Sequence, residues 1–218
     1  GHKLDAEGIY HYLAHRRSYY GFLAADRLEL PYAFENRPLD INEDDLAIIS
    51  NYPEVVRAKE FHEVGKITDA RREWRQLALK LDNSEKLTAS KLAQLWGWHS
   101  QAIVTMGKTD YRDDIELRFP LPLKGKVAKY SDRNRIEPAL TYAIIRRESA
   151  FMANVRSSQG AMGLMQIKPR TARSVARSMK VSSRGSKRLL QEDTNLTLGT
   201  GYSRKMLKRY DTQAVQYN

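Results

Sequence analysis

The sequence of 218 residues contains no cysteine. Disulfide bonds, thiol nucleophiles and cysteine-based zinc sites are therefore excluded, and the redox state of the compartment is left open. Apolar runs are short, and none reaches the roughly 18 residues of a membrane-spanning helix. Histidine is missing after His99, so no histidine-based metal site or catalytic triad is available within the second half. We expect neither a metal nor another cofactor.

Acidic residues are scarce in the second half of the chain. Residues 1–123 hold 17 Lys and Arg against 20 Asp and Glu, whereas residues 124–218 hold 20 against 6. The net charge thus changes from −3 to +14 near the proline-rich segment 120–123, which favours a domain boundary there. A strongly basic half suggests an acidic polymer as partner: nucleic acid, anionic lipid or a polysaccharide that carries carboxylates. A solvated basic face is the alternative.

The first half has a helical pattern that recurs after 32 residues. Small and aromatic residues at five positions are repeated in order: Ala58, Phe61, Gly65, Ala70 and Trp74, then Ser90, Ala93, Gly97, Ala102 and Met106. The spacing predicts stacked helical hairpins with a glycine turn in each. We expect the three tryptophans, Trp74, Trp96 and Trp98, to pack between these helices.

The second half also reads as helical, which gives an all-α fold class. Helices are predicted at 138–149, 169–179 and 193–210, with Asp193 or Thr194 as N-cap of the last. The segment 154–167 between the first two has two glycines and several small polar residues, so it cannot be a regular helix throughout. A short hairpin fits there.

Glu148 continues the apolar face of the first of these helices, at spacing i, i+4, i+8 from Leu140 and Ile144. We expect its carboxyl to point into an apolar wall, near a helix C-terminus that disfavours negative charge. A carboxyl that keeps its proton in this way can serve as a general acid. The alternative is a structural salt bridge to Arg146, Arg147 or Arg156.

Four short motifs follow one another in the second half. They are Glu148-Ser149-Ala150-Phe151, Gly163-Leu164-Met165-Gln166-Ile167, the segment 195–202 and Tyr217-Asn218. In this order they resemble the soluble lytic transglycosylases of bacterial cell walls, which have a lysozyme-like catalytic domain. Segments 19–28 and 96–103 are similar to the superhelical and linker parts of that family, so the resemblance covers nearly the whole chain.

The resemblance implies a role for four residues and a division of the chain. Glu148 would be the catalytic acid and base, and Ser157, Gln166 and Tyr217 would bind substrate. Residues 1–118 would form the end of a helical superhelix with a linker domain, and residues 119–218 a lysozyme-like domain that is incomplete at its C-terminus. The substrate would be peptidoglycan in the periplasm, with Gly1-His2 as a tag remnant and no signal peptide in view.

The mechanism can be narrowed from the acidic residues themselves. Most glycosidases use two carboxylates. Apart from Glu148, the basic half offers five acidic residues, all in polar, turn-like or helix-cap contexts: Asp132, Glu137, Glu192, Asp193 and Asp211. This favours a single-carboxylate reaction assisted by the N-acetyl group of the substrate. The resemblance implies that the C6 hydroxyl of N-acetylmuramic acid (MurNAc) attacks, which gives a 1,6-anhydro product.

Two other classes of protein stay open at this point. One is a peptidoglycan-binding or scaffold protein without catalytic activity. The other is a nucleic-acid-binding helical protein, suggested by eight Lys and Arg within residues 168–188. Against nucleic acid, this stretch lacks aromatic residues for base stacking, so we expect none as partner. We expect a monomer that binds glycan strands, with cell-wall synthesis or degradation proteins as further partners.

Overall fold

The computed structural model describes the backbone of residues 2–182 and 185–215 and the side chains of 6–182 and 185–210. Within this part of the chain the protein is helical, as the sequence predicts, and β-structure is limited to two isolated antiparallel bridges. None of its helices is long and apolar enough to cross a bilayer. Two compact units form, residues 1–38 and 39–218. The predicted boundary after residue 118 lies inside the second unit and stays a prediction.

The first unit is a helical hairpin of α1 (His2–Ala14) and α2 (Tyr19–Leu28). The hydroxyl of Ser18 accepts a hydrogen bond from the backbone N–H of Gly21 at 3.1 Å and so caps α2. A Cβ at Gly21 would collide with the backbone of the preceding turn, which makes glycine necessary there. The small core consists of alanines: Ala14, Ala24 and Ala25.

The second unit begins with five helices that confirm the predicted repeat. They are α3 (Glu43–Ser50), α4 (Pro53–Glu63), α5 (Ile67–Lys80), α6 (Asn83–Leu95) and α7 (His99–Met106). The turns between α4 and α5 and between α6 and α7 contain Gly65 at φ 73° and Gly97 at φ 70°, in the left-handed region that favours glycine. A capping box of Asp82 and Glu85 starts α6.

The tryptophans pack between these helices as predicted. Trp74 and Trp98 are buried, and Trp96 is half-buried against the same core. The ring of Trp74 meets each of the other two edge-on at 5.5 Å. Its indole N–H donates to Thr105 Oγ1 at 2.9 Å, so this buried polar group has a hydrogen-bond partner.

A second hydrophobic core lies between residues 127 and 198. The elements of this part are α8 (Ile115–Arg118), α9 (Lys124–Asn134), α10 (Pro138–Ser149), α11 (Pro169–Met179), a short 3-10 helix (Ser186–Leu190) and α12 (Glu192–Val215). The predicted bounds of α10 and α11 are confirmed. The predicted N-cap of α12 is wrong, because the helix already begins at Glu192. Asp193 lies in its first turn, where its carboxylate accepts from Tyr130 Oη at 2.9 Å.

Candidate functional site: an open pocket beside Glu148

Helix α10 presents one buried face and one face that lines a pocket. Thr141, Ile145 and Ser149 are buried. Thr141 shares a 2.8 Å hydrogen bond with Ser131 of α9, which anchors the buried side. Leu140, Ile144 and Glu148 line the same pocket, so the predicted i, i+4, i+8 face is confirmed. The helix therefore brings a carboxylate to the end of an apolar wall.

The chain turns sharply just after Glu148. Helix α10 ends at Ser149, and the next two residues, Ala150 and Phe151, have φ values of 47° and 68°. Such values are uncommon for residues that carry a Cβ and are held only where the surrounding structure enforces them. The turn sends the chain into the 154–167 segment, which returns to the pocket.

Segment 154–167 forms the predicted short hairpin through isolated bridges. Met162 pairs with both Arg156 and Ile167. At its tip, the Ser157 N–H donates to the Ala161 carbonyl at 2.9 Å, and the Ser157 hydroxyl accepts from the Ala161 N–H at 3.0 Å. Ser157 is solvent-exposed and does not line the pocket. Its hydroxyl stabilises this turn, and a role in substrate binding stays a prediction.

Asn195 of α12 holds the returning end of the segment in place. Its side chain is fully buried and satisfied on both sides. Nδ2 donates to the carbonyls of Met162 and Leu189, each at 2.8 Å, and Oδ1 accepts from the Met165 N–H at 2.7 Å. Gly163 has φ 76°, and a Cβ there would collide with both Asn195 and the Leu189 carbonyl. Glycine is thus needed for two separate reasons.

Gln166 joins Glu148 at the pocket by an unusual backbone conformation. Its φ is 45°, and its Nε2 donates to the carbonyls of Gly163 at 2.8 Å and Val155 at 3.4 Å. Below it, the Met165 side chain packs so closely on Gly199 of α12 that a Cβ there would overlap its sulfur. The pocket floor therefore depends on a helical glycine.

The pocket has a volume of about 400 Å³. Its wall is mainly apolar and aromatic, and α12 supplies about half of the lining residues. The full lining is Leu140, Ile144, Glu148, Met165, Gln166, Ile167, Gly199, Tyr202, Ser203, Met206, Leu207 and Tyr210. Among these described residues, Glu148 is the sole carboxylate. The pocket thus combines one carboxyl, one amide, one serine hydroxyl and two phenols on an apolar surface.

Over the described part of the chain, the structure excludes the salt-bridge alternative for Glu148 and corrects one expectation. Within the described residues its carboxylate has no hydrogen-bond or ion-pair partner, so the salt bridge to Arg146, Arg147 or Arg156 is not formed. The expectation that it is embedded in an apolar wall is wrong, because Glu148 is solvent-exposed. The physical reason is that the pocket is open, so the apolar residues flank the carboxylate without covering it.

The four residues predicted for the site have different outcomes. Glu148 and Gln166 are brought together on one pocket, and Ser157 lies outside it. Tyr217 falls outside the described residues. Tyr202 and Tyr210, which line the pocket, were not assigned a role from the sequence. The signal was present: glycine, aromatic and methionine residues recur every three or four positions along one side of α12, a spacing that marks a helix face.

A separate surface along α11 carries a row of cations, the basic stripe: Arg170, Arg173 and Arg177 on the helix, and Lys180 directly after its end. All four are exposed, and none forms an ion pair within the described residues. At 100° per residue the three arginines fall within an arc of about 60° on one side of the helix. The helix itself contains no acidic residue. Its positive charge is therefore available to an external anion.

The fold and the site define a helical protein with an open, mainly apolar pocket whose described lining contains a single carboxylate, Glu148. Two sequence families match the chain. The model for "Soluble lytic murein transglycosylase L domain" matches residues 48–115, and that for "Transglycosylase SLT domain" matches residues 126–218.

Solved structures and curated proteins agree with these matches. One similar structure is lytic transglycosylase Slt of Pseudomonas aeruginosa, solved as an inactive mutant in which a glutamate is replaced by glutamine. It superposes with a TM-score of 0.91 at 34% sequence identity, and the match covers 95% of this chain and 34% of that chain. The 70-kDa soluble lytic transglycosylase of Escherichia coli gives 0.87 at 27% identity, covering 96% and 34%. The soluble lytic murein transglycosylase of Salmonella typhimurium is 28% identical over 99% of this chain and 33% of its own length.

Residues 48–115 and 126–218 are therefore assigned to the L and SLT domains of the soluble lytic murein transglycosylase family. The chain spans about one third of the length of the curated relatives that it matches.

Proposed function

We propose that the protein is a peptidoglycan lytic transglycosylase that works in the periplasm. It cleaves the β-1,4 bond between MurNAc and N-acetylglucosamine (GlcNAc) and leaves a 1,6-anhydro end on MurNAc. The observation that carries this proposal is the pocket itself, in which Glu148 is the sole carboxylate among the described lining residues. A second carboxylate, which most glycosidases need as nucleophile or base, is not supplied by these residues.

One carboxyl suffices if it acts twice. Protonated Glu148 gives its proton to the glycosidic oxygen as the bond to C1 breaks, and the substrate N-acetyl group stabilises the positive charge that develops at C1. Glu148, now ionised, then accepts the proton of the C6 hydroxyl as that oxygen bonds to C1. The proton balance closes, Glu148 returns to its starting state, and no water is consumed.

The lining of the pocket suits a sugar chain. Its volume of about 400 Å³ lies in the usual range for small-ligand sites, roughly 300–1,000 Å³. Tyr202 is 38% exposed and Tyr210 is 65% exposed, so both rings offer a free surface to the apolar C–H face of a sugar. Gln166 adds an amide beside the carboxylate. The complex of the 70-kDa relative with bulgecin A supports ligand binding within this fold.

The basic stripe on α11 supports peptidoglycan as the substrate. Stem peptides of peptidoglycan carry free carboxylates, and exposed guanidinium groups without internal partners attract such anions. The exposed side of α11 carries no aromatic residue, which argues against single-stranded nucleic acid as the partner.

The test is mass spectrometry of the muropeptides released from purified cell wall. The proposal expects products that end in 1,6-anhydro-MurNAc. Products heavier by one water molecule at the cut would show a lysozyme-type hydrolase. Binding of glycan strands without any product would show the inactive binding protein instead.

A further inference from the structure

We propose that Tyr142 and Arg146 are positioning residues that hold helix α10 in the rotation at which Glu148 reaches the substrate. They do so from the back of the helix, by hydrogen bonds to the backbone of residues 118–122. This segment, called the linker below, runs from the last residue of α8 towards the start of α9. The expected effects on kcat rest on the proposed function, whereas the expected position of α10 does not depend on it.

Helix geometry places the two sets of residues on opposite sides of α10. Successive residues are 100° apart around the helix axis. The pocket face of Leu140, Ile144 and Glu148 is therefore centred about 180° from the midpoint between Tyr142 and Arg146. A contact on one side fixes the direction in which the other side points.

Tyr142 makes the first back-side contact. Its hydroxyl donates to the carbonyl of Pro122 at 2.9 Å. The side chain is half-buried, and burial raises the pKa of the Tyr142 phenol, so it stays protonated and able to donate. Its ring also lies 6.3 Å from that of Phe151, just past the sharp turn that follows Glu148. One side chain thus touches both the linker and the far side of the turn.

Arg146, one helical turn later, makes the second contact. Its Nε donates to the carbonyl of Arg118 at 2.6 Å, and its guanidinium lies 4.4 Å from the centroid of the Phe119 ring. The group is half-buried, and no carboxylate pairs with it among the described residues. Burial lowers the pKa of Arg146, yet a guanidinium remains charged in proteins.

A half-buried cation without a carboxylate is a costly way to stabilise a fold. An aliphatic side chain would fill the same space without that cost, but it would not fix an angle. Hydrogen bonds to carbonyls are directional, and a planar guanidinium stacked on an aromatic ring is fixed in two ways. The carbonyls of residues 118 and 122 accept hydrogen bonds from two successive turns of α10. Together these bonds oppose both rotation of the helix about its axis and sliding along it.

Small rotations matter at this site. A carboxyl about 6 Å from the helix axis moves by about 1 Å when the helix turns by about 10°. A misplacement of about 1 Å can reduce the rate of the chemical step by about 100-fold. Since substrate binding is spread over the pocket walls, the loss falls on kcat rather than on KM.

The kinetic test compares Arg146→Met with Arg147→Met in the enzyme acting on isolated glycan strands. Arg147 is the neighbouring exposed cation with no partner among the described residues, so its substitution is a control for charge. We expect Arg146→Met to lower kcat by roughly 10-fold to 100-fold with KM changed by less than about 3-fold. Arg147→Met should leave kcat unchanged.

Two further variants keep the test decisive if Arg146→Met does not fold. Arg146→Lys retains a donor but loses the planar fork, so we expect an intermediate kcat. Tyr142→Phe retains the ring and loses only the hydroxyl, and it should lower kcat by a smaller factor. Wild-type kcat in all of these variants would overturn the positioning role and leave the proposed function intact.

A crystal structure of the Tyr142→Phe or Arg146→Met variant tests the geometry without any assay. We expect α10 to rotate and the Glu148 carboxylate to move by about 1 Å. A carboxylate that stays in place would overturn the proposal whether or not the wild-type protein cleaves peptidoglycan.

Discussion

Glu148 is the residue on which the proposed chemistry depends. Replacing it by glutamine keeps the size of the side chain but removes the proton that the proposed reaction transfers. General acid–base catalysis contributes about 10²-fold to 10⁴-fold, and we expect Glu148→Gln to reduce turnover of cell wall by at least this factor. Sedimentation with insoluble cell wall should show that binding is retained. More than about a tenth of wild-type turnover would contradict the assignment.

Gly163 gives a matched pair of stability variants with Gly160. Both have φ 76°, but a Cβ meets nothing within 4 Å at Gly160 and collides with Asn195 and Leu189 at Gly163. Gly160→Ala should cost about 1 kcal/mol of unfolding free energy from its backbone alone. Gly163→Ala should cost about 1–3 kcal/mol more from overpacking. Equal midpoints of the two variants in urea unfolding would show that the loop moves to accommodate the added methyl group and that Asn195 does not hold it rigidly.

At the scale of helices, local patterns in the sequence were enough for some features and not for others. The bounds of α10, the turn glycines and the Glu148 face follow from spacing along the chain. The hydrogen bonds from Tyr142 and Arg146 to the linker join residues that are 20 and 28 positions apart. No local sequence pattern can therefore predict them. The start of α12 differs from the predicted one, because the carboxylate of Asp193, a typical cap residue, accepts a hydrogen bond from Tyr130 instead.

The exposure of Glu148 was also beyond the sequence. A periodic apolar face shows which residues share a side of a helix, but not whether a neighbouring element covers that side. Helix α12 flanks the pocket and leaves it open, and the lining from Tyr202 to Tyr210 could be found only once the two helices were placed together.

The basic stripe on α11 leads to a prediction about salt. Replacing Arg170, Arg173 and Arg177 by glutamine should weaken binding to cell wall and flatten its dependence on ionic strength. The same charge change at Lys59, Lys66 and Lys108, exposed cations of the acidic first half, is the control. Sedimentation of cell wall from low salt to above about 0.15 M measures both. Equal losses in the two triple variants would show that α11 has no special part.

For the molecule as a whole, two partly buried histidines beside the tryptophan core of α4 to α7 set a pH dependence of stability. The ring centroid of His62 lies 4.8 Å from that of Trp98, with the two planes tilted by 38°, and the buried Nδ1 of His99 has no partner within the described residues. Burial lowers the pKa of both groups below the ordinary 6.5. As the pH falls below 6.5, the unfolded chain therefore binds more protons at these histidines than the folded protein does. The free energy of unfolding decreases until the pH has passed below the pKa of the histidines in the folded protein.

Thermal unfolding from about pH 8 to about pH 5 measures this effect. His99→Asn should reduce the loss of stability on acidification, and His11→Asn, at an exposed position of α1, should not. If both variants lost the same stability between about pH 8 and about pH 5, the effect would arise from a group other than His99.

The openness of the pocket has a consequence for competition between nucleophiles. An exposed Glu148 is reached by solvent, so under the proposed reaction water and the C6 hydroxyl both compete for C1. The hydroxyl belongs to the same sugar ring, and well-oriented intramolecular groups react as though present at about 10⁵–10⁸ M, far above the concentration of any solvent. A site of this kind does not need a lid to remain non-hydrolytic. It needs only to hold the sugar ring in the shape that brings its own hydroxyl to C1.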